Sequence, residues 1–329
     1  MLSIILSAIV LYVFIQDANT QDLWTILYNV NTTWLFWALV IKSISLTIHE
    51  YRLWLGFGQP RPPIQQTMQI GFASALLNIL FPGRAGDIAA IAMLHKKCAV
   101  PVGIATFAVG MVGFFEGAIF GLMMVLVLLM NAPMWIHFLG EETHLQSLQT
   151  ISGLTLLGIG IVVVAAIIGR RFTENPPENA EEFSPLTWIK DAFGQTQSNL
   201  TNIRYILLNS IASIAEVGLM IASFAMGFEM LGLESSMVAL TPLLTWSLSG
   251  LVLGLSAIAS IVFPQTYGAG SAAASVFILG FFGFDQTEAL GFASIWWIIS
   301  QVPAVVLGLP SLWLLRKSTP TDGLSTTDY

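Results

Sequence analysis

Charge is what this chain has least of. Asp, Glu, Lys and Arg make up 9% of its 329 residues, where a soluble domain carries about 25%. That excludes a water-soluble fold. Cysteine is nearly absent as well: Cys98 stands alone, which rules out an internal disulfide and a cysteine-based metal site. The four histidines, His49, His95, His137 and His144, include no pair at the HExxH spacing of a zinc hydrolase. No metal is expected. No basic run suggests nucleic acid, and no GxxxxGK[ST] loop suggests ATP. No cofactor is expected.

What is present is apolar surface. Hydrophobic residues make up 55% of the chain, with ten tryptophans and 21 phenylalanines. At about 20 residues per membrane span there is room for about six to eight spans. Apolar stretches run at about 1–16, 33–54, 67–82, 101–130, 149–169, 204–228, 237–262, 268–283 and 289–315. No positive residue precedes 1–16 and no clear small-x-small site follows, so it reads as an uncleaved first helix. Short polar connections separate the others. The long polar segment 170–203, with Arg170, Arg171, Pro176, Pro177, Glu181, Glu182 and Lys190, reads as a solvated loop.

Lysine and arginine placement gives an orientation. The segments near 52–66, 95–97, 170–204 and 316–317 hold Arg52, Arg61, Lys96, Lys97, Arg204, Arg316 and Lys317 besides the cations of the long loop. Those near 17–32, 131–148, 229–236 and 284–288 hold none. By the positive-inside rule the first set is cytoplasmic. Both termini then face the cytoplasm, and the chain is a multi-pass protein of the cell membrane. Trp34, Trp37, Trp54, Trp135 and Trp313 lie near span ends and read as interfacial anchors.

The same bookkeeping makes 67–98 begin and end inside, broken at Phe81-Pro82-Gly83, and 237–283 begin and end outside, broken at Phe263-Pro264. Each reads as a re-entrant helical hairpin. The two breaks share Phe-Pro within similar segments, Ile79 to Ala90 and Ile261 to Ala272, and their flanking helices run in opposite senses. The predicted fold is therefore an all-α polytopic membrane protein. It has about six full spans plus two oppositely oriented re-entrant hairpins, in an inverted repeat of halves 33–130 and 204–315. Residues 1–329 form a single transmembrane domain. Inverted repeats with broken helices are a pattern of secondary transporters.

Broken helices free backbone groups that lipid cannot satisfy. Half-helix N-termini suit an anionic group such as phosphate. Candidate substrate-binding residues are therefore Pro82, Gly83, Arg84, Gly86 and Asp87 in the first break, and Pro264 and Gly268 in the second. Arg84 could grip a phosphate oxygen through its planar fork, or pair with Asp87 and pin the break. Asn78, Thr266, Tyr267 and Ser271 could satisfy freed backbone. Three further ionisable residues lie within spans: Lys42, Glu116 and Glu216. Such groups mark functional sites by default. Glu116 is the candidate for proton coupling. Glu216 and Lys42 are candidates for headgroup contact, or for a structural pair with each other.

Pro82-Gly83-Arg84-Ala85-Gly86-Asp87 resembles the Pro-Gly-Arg-x-Gly-Asp/Glu signature of the lysylphosphatidylglycerol synthase transmembrane (flippase-like) family. Tyr51-Arg52-Leu53-Trp54 is similar to that family's aromatic–arginine end of an early helix. Glu116 matches its acidic position on the next helix, and Phe263-Pro264 through Gly270 its second, glycine-rich break. The resemblance covers about 30–315. It implies a lipid-translocating module, and here a stand-alone one, since no synthase domain precedes Tyr329. The chain departs from the pattern at Ile88-Ala89-Ala90, at Gly117 and at Ser271-Ala272-Ala273-Ala274, where the family often carries charge.

The expected function is a flippase-like transporter, not an enzyme, that moves a phospholipid or lipid-linked anionic headgroup across the bilayer. Its partners would be membrane lipids. The alternatives are a non-transporting partner subunit of a lipid- or glycoconjugate-modifying enzyme, which the missing charges favour, and an intramembrane lipid-phosphate enzyme. Ala85-Gly86-Asp87 is not the serine- and arginine-rich loop the last would need. Gly268-Ala269-Gly270-Ser271 is not a rhomboid nucleophile turn, and no histidine follows His144 to act as base.

Overall fold

A computed structural model describes residues 12, 19–57, 61–81, 85–130, 202–233, 241–259 and 269–317. The first helix at 1–16, the span at 149–169, the loop at 170–203 up to 201, and both chain ends lie outside the described residues, apart from Tyr12. Among the described residues the fold is helices without a strand: α1 (Thr20–Tyr28), α2 (Thr32–Leu55), α3 (Ile64–Leu80), α4 (Ala85–Cys98), α5 (Val102–Met130), α6 (Ile203–Leu231), α7 (Pro242–Ala259), α8 (Ala269–Phe281) and α9 (Gln286–Lys317).

Short polar residues set where these helices begin. The Asn31 side chain accepts from the Thr33 and Trp34 amides at 3.1 and 3.4 Å, and Asn202 does the same for Arg204 and Tyr205. Thr241 accepts from the Leu244 amide. Asp285 and Glu288 form a reciprocal capping box at the start of α9, at 2.7 and 2.9 Å. Glycine ends two of them. Gly232 and Gly283 take positive φ, 60° and 80°, and the following amides return to Phe228 and Leu279 carbonyls, as in a Schellman stop.

Segment 17–32, read above as a polar connection, contains α1. Asn19 caps it by accepting from the Gln21 and Asp22 amides. The helix is only nine residues long, too short to stand out by apolar periodicity, which is why its cap was the informative signal.

Helices α5 (over Val102–Met123), α6 and α9 are long and apolar enough to cross a membrane. At 1.5 Å per residue α9 is about 48 Å long, more than the roughly 30 Å hydrocarbon core. Helix α2 has 24 residues, a sufficient length, but carries Lys42, Glu50 and Arg52. The polarity of α6 is inverted relative to a helix in water. Its exposed face carries Leu207, Ile211 and Ile214, at 53%, 63% and 51% exposure, and its buried face carries Asn209, Ser213 and Glu216, at 1%, 0% and 3%. A water-soluble helix would turn these faces round. Lipid as the solvent accounts for the arrangement.

The described chain falls into two compact units. One comprises Met1–Leu46, Ala75–Ala85 and Glu216–Leu309. In it, α1 is tied to α9 by the Asn19 amide donating to Thr287 Oγ1 at 3.3 Å. Its Leu23 packs with Ala272 and Val276 of α8 and with Leu290 and Ala293 of α9. Phe228 of α6 packs against the Phe284 and Phe292 rings, and Gly227 makes room for the Phe292 ring, which a Cβ would approach to 2.9 Å. Helices α7 and α8 pack against each other.

The other unit comprises Thr47–Ser74, Gly86–Ala215 and Pro310–Tyr329. Its core joins Leu53 and Phe57, Ile70 and Ala73 of α3, Ala90, Leu94 and Cys98 of α4, and Ala105, Ala108 and Val112 of α5. Gln66 near the start of α3 donates to the carbonyl of Lys97 near the end of α4. These parts of α3 and α4 therefore run antiparallel, as a helical hairpin.

Candidate functional site

The end of α2 concentrates the polar chemistry of the second unit. Arg52 is fully buried, at 0% exposure. Its Nε donates to Asn209 Oδ1 of α6 at 2.9 Å and its Nη2 to the Val112 carbonyl of α5 at 2.8 Å. Asn209 Nδ2 in turn donates to Tyr205 Oη at 3.2 Å, and the Tyr205 ring meets Phe115 edge-on. One guanidinium thus holds three helices by its fixed fork of donors. The sequence reading counted Arg52 among loop cations. The structure corrects this: α2 continues to Leu55, no breaker occurs before Gly56, and Arg52 contributes nothing to a positive loop.

One turn back on the same side of α2, His49 Nδ1 lies 3.8 Å from Glu116 Oε2, with each side chain 30% exposed. Glu116 is four residues beyond Val112. In an α-helix its amide bonds to the same Val112 carbonyl that Arg52 holds. The Arg52 contact therefore fixes the turn of α5 that presents Glu116 to His49. At this spacing the carboxylate attracts the imidazole when it is protonated, and sharing a proton requires a closer approach. Between His49 and Arg52, Glu50 is 4% exposed. Its carboxylate lies where a side chain on Gly71 of α3 would stand, so a larger residue there would have to displace it.

In the first unit, Lys42 places its ammonium 5.8 Å from the centroid of the Phe224 ring. One turn on, Ser45 Oγ donates to the Glu216 carbonyl at 3.1 Å. The structure thus sets the predicted Lys42 and Glu216 on facing stretches of α2 and α6.

The first predicted break is described in part. Gly86 is buried and Asp87 stands in the first turn of α4, where a carboxylate complements the helix dipole. Pro82, Gly83 and Arg84 lie outside the described residues, as do Pro264, Gly268, Thr266 and Tyr267. Asn78 lies on α3 and Ser271 in the first turn of α8. Of the predicted anchors, Trp34, Trp37 and Trp313 are exposed, and Lys317 sits 3.5 Å over the Trp313 ring. Sequence reasoning missed His49, Glu50 and the buried role of Arg52. The available signal was three polar groups within four residues of an otherwise apolar helix.

A family model described as the lysylphosphatidylglycerol synthase TM region matches residues 1–308. The chain belongs to that family. Comparison with curated proteins returned no match. The family and the apolar helices together make this a membrane protein of the lysylphosphatidylglycerol synthase, flippase-like type.

Proposed function

We propose that this chain is a lipid transporter that carries a phospholipid or lipid-linked anionic headgroup across the bilayer. The observation that carries the reading is the set of ionisable and amide side chains turned inward from apolar helices, with His49 and Glu116 3.8 Å apart and partly open. Membrane helices bury such groups at a cost, and function is the usual reason they persist. Family membership supports a lipid as the cargo.

In this reading the chain has about six full spans and two oppositely oriented re-entrant hairpins, α3–α4 and α7–α8. The inverted repeat spans 33–130 and 204–315, both termini are cytoplasmic, and the protein sits in the cell membrane. Arg61, Lys96, Lys97, Arg204, Arg316 and Lys317 support that orientation without Arg52. The headgroup enters at the hairpins while the acyl chains stay in lipid. Pro82, Gly83, Arg84, Gly86, Asp87, Pro264 and Gly268 frame the headgroup, with Arg84 on the phosphate. Glu116 exchanges a proton with His49 during the cycle, and Lys42 and Glu216 line the route. The chain performs no covalent chemistry on the lipid.

The test is translocation of fluorescent lipids in proteoliposomes, comparing wild type with Arg84→Ala and Glu116→Gln across several headgroups. Headgroup-selective movement that is lost in Arg84→Ala supports the reading. Folded protein that moves no lipid refutes it and favours a partner subunit of a lipid-modifying enzyme, for which the uncharged Ile88, Ala89 and Ala90 after the signature already argue.

A further inference from the structure

Charge is segregated within the second unit. Among its described residues, the lysines and arginines other than Arg52 are Arg61, Lys96, Lys97, Arg204, Arg316 and Lys317. Packing brings their segments to one end. Phe57 just past α2, Leu94 and Cys98 of α4, Ala105 of α5 and Leu315 of α9 share one core. Trp54 packs in the cluster of Phe107 and Tyr205, near the starts of α5 and α6. The segments around these contacts, 51–69, 93–107, 202–215 and 310–317, contain no Asp or Glu. The acids among the unit's described residues stand elsewhere. Asp87 precedes Lys96 by nine residues of α4, about 14 Å. Glu116 follows Val102 by fourteen residues of α5, about 21 Å. Glu50 is buried against Gly71 of α3.

One cation at this end is held in place. Arg61 lays its guanidinium over the Trp54 ring, 4.5 Å from the centroid, and its Nε donates to the Phe57 carbonyl at 3.2 Å. Trp54 is fixed in turn. Its Nε1 donates to the Pro62 carbonyl at 3.0 Å, and its ring stacks on Tyr51 at 5.7 Å. With Nε committed to Phe57, the Nη pair is the edge by which this guanidinium can grip a second group. A side chain already ordered loses little freedom when it binds. No carboxylate among the described residues pairs with Arg61, and Gly58, Gln59 and Pro60 before it bring none.

The neighbours of these cations are apolar. Ile64, Ile203, Leu207 and Trp313, at the same helix ends, are exposed. A soluble anion would meet the cations and leave these side chains uncovered. A phospholipid covers both, with its acyl chains on the apolar residues and its phosphate among the cations. Aromatic rings at headgroup level and basic residues beside them are the features that draw anionic lipid. The planar fork of arginine matches two phosphate oxygens at once.

We propose that this end of the second unit binds an anionic phospholipid, with the Arg61 guanidinium on its phosphodiester beside the Trp54 ring and the other five cations drawing it by charge. The bound lipid is a fixed companion of the fold, so the inference goes beyond the transport reading and does not rest on it.

The test melts the purified full chain in mixed micelles of a neutral detergent with phosphatidylglycerol or with phosphatidylcholine, at equal mole fraction and with the same acyl chains. Both lipids carry a phosphodiester, but only the first has net negative charge. Wild type is expected to melt roughly 3 °C higher with phosphatidylglycerol when the lipid is at about ten times its Kd. That difference is expected to fall by more than half in about 0.5 M salt, which screens the cations. Arg61→Gln is expected to lose at least half of it, and Arg61→Lys, which keeps the charge without the fork, a smaller part. Arg204→Gln removes a cation at an exposed helix start and is expected to lose distinctly less than Arg61→Gln. The difference is read between two lipids within one protein, so a change in a variant's own stability does not enter. Equal melting of the wild type in the two lipids overturns the proposal and leaves this end to an acidic protein partner. A difference that salt leaves unmoved overturns it too, as does one that Arg61→Gln keeps in full. Equal losses in Arg204→Gln and Arg61→Gln overturn the role of Arg61 and reduce the surface to diffuse charge. No translocation is read, so failure here leaves the transport proposal standing, and failure of transport leaves this one.

Discussion

Arg52→Met is the sharpest probe of the second unit. Methionine keeps much of the aliphatic stem and deletes the guanidinium. The charge-assisted bonds to Asn209 Oδ1 at 2.9 Å and to the Val112 carbonyl at 2.8 Å disappear. Each is worth about 1.5–3 kcal/mol. The loss is offset in part because a charge is no longer held out of water, a penalty of several kcal/mol per ion. The Val112 carbonyl retains its helical bond, whereas Asn209 Oδ1 stays buried without this donor, costing about 1–3 kcal/mol. The expected net destabilisation is about 2–3 kcal/mol. Removing the orphan as well, in Arg52→Met with Asn209→Leu, should recover about 1–2 kcal/mol relative to the sum of the single variants. Arg52→Lys should be worse than Arg52→Met, since a lysine keeps the charge without the fork. The assay is reversible unfolding in mixed micelles, followed by tryptophan fluorescence. A single variant within about 0.5 kcal/mol of wild type, or a double variant equal to the sum of the singles, would refute this account of the network.

Other expectations concern separate parts of the fold. Glu116→Gln and His49→Gln should each flatten the pH dependence of lipid translocation while leaving the melting temperature near that of wild type; a pH profile unchanged in both removes the proton-exchange role. Gly71→Val should displace the Glu50 carboxylate and cost about 2–4 kcal/mol by the scale for buried polar disruption, and a neutral result in the unfolding assay would contradict the close packing. Gly227→Val should strain the Phe292 contact by about 1–3 kcal/mol, read in the same assay. Cys98, at 0% exposure, should resist maleimide in the native protein and react fully after denaturation; rapid native labelling would contradict its place in the core.

The long helices were legible because apolar length and polar gaps are local properties. Helices α2, α5, α6 and α9 follow the apolar runs to within a few residues, and their starts coincide with Asn31, Asn202 and Asp285 or the proline at 101. Helix α1 escaped because nine residues give too little periodicity, although Asn19 and Asp22 carried its cap. The end of α2 was misread for a different reason. Arg52 stands four residues before Gly56, and a cation near the end of an apolar run satisfies the positive-inside pattern as well from within the protein as from a loop. Its partners, Val112 and Asn209, lie 60 and 157 residues away in sequence, a distance that local pattern cannot bridge. Glu116 was found because a lone acid at mid-helix is conspicuous. His49 was not, because an imidazole is costly in lipid only when charged, and composition cannot tell which helix faces it.

The inverted polarity of α6 has a use at the bench. Leu207, Ile211 and Ile214 are each more than half exposed, so they can be exchanged with little rebuilding of what Asn209, Ser213 and Glu216 do inside. Replacing the outward residues with glutamine and lysine would adapt that face to water and leave the interior as it is. A water-soluble analogue made by such replacements on every lipid-facing helix could then be tested for ligand binding in solution, free of detergent.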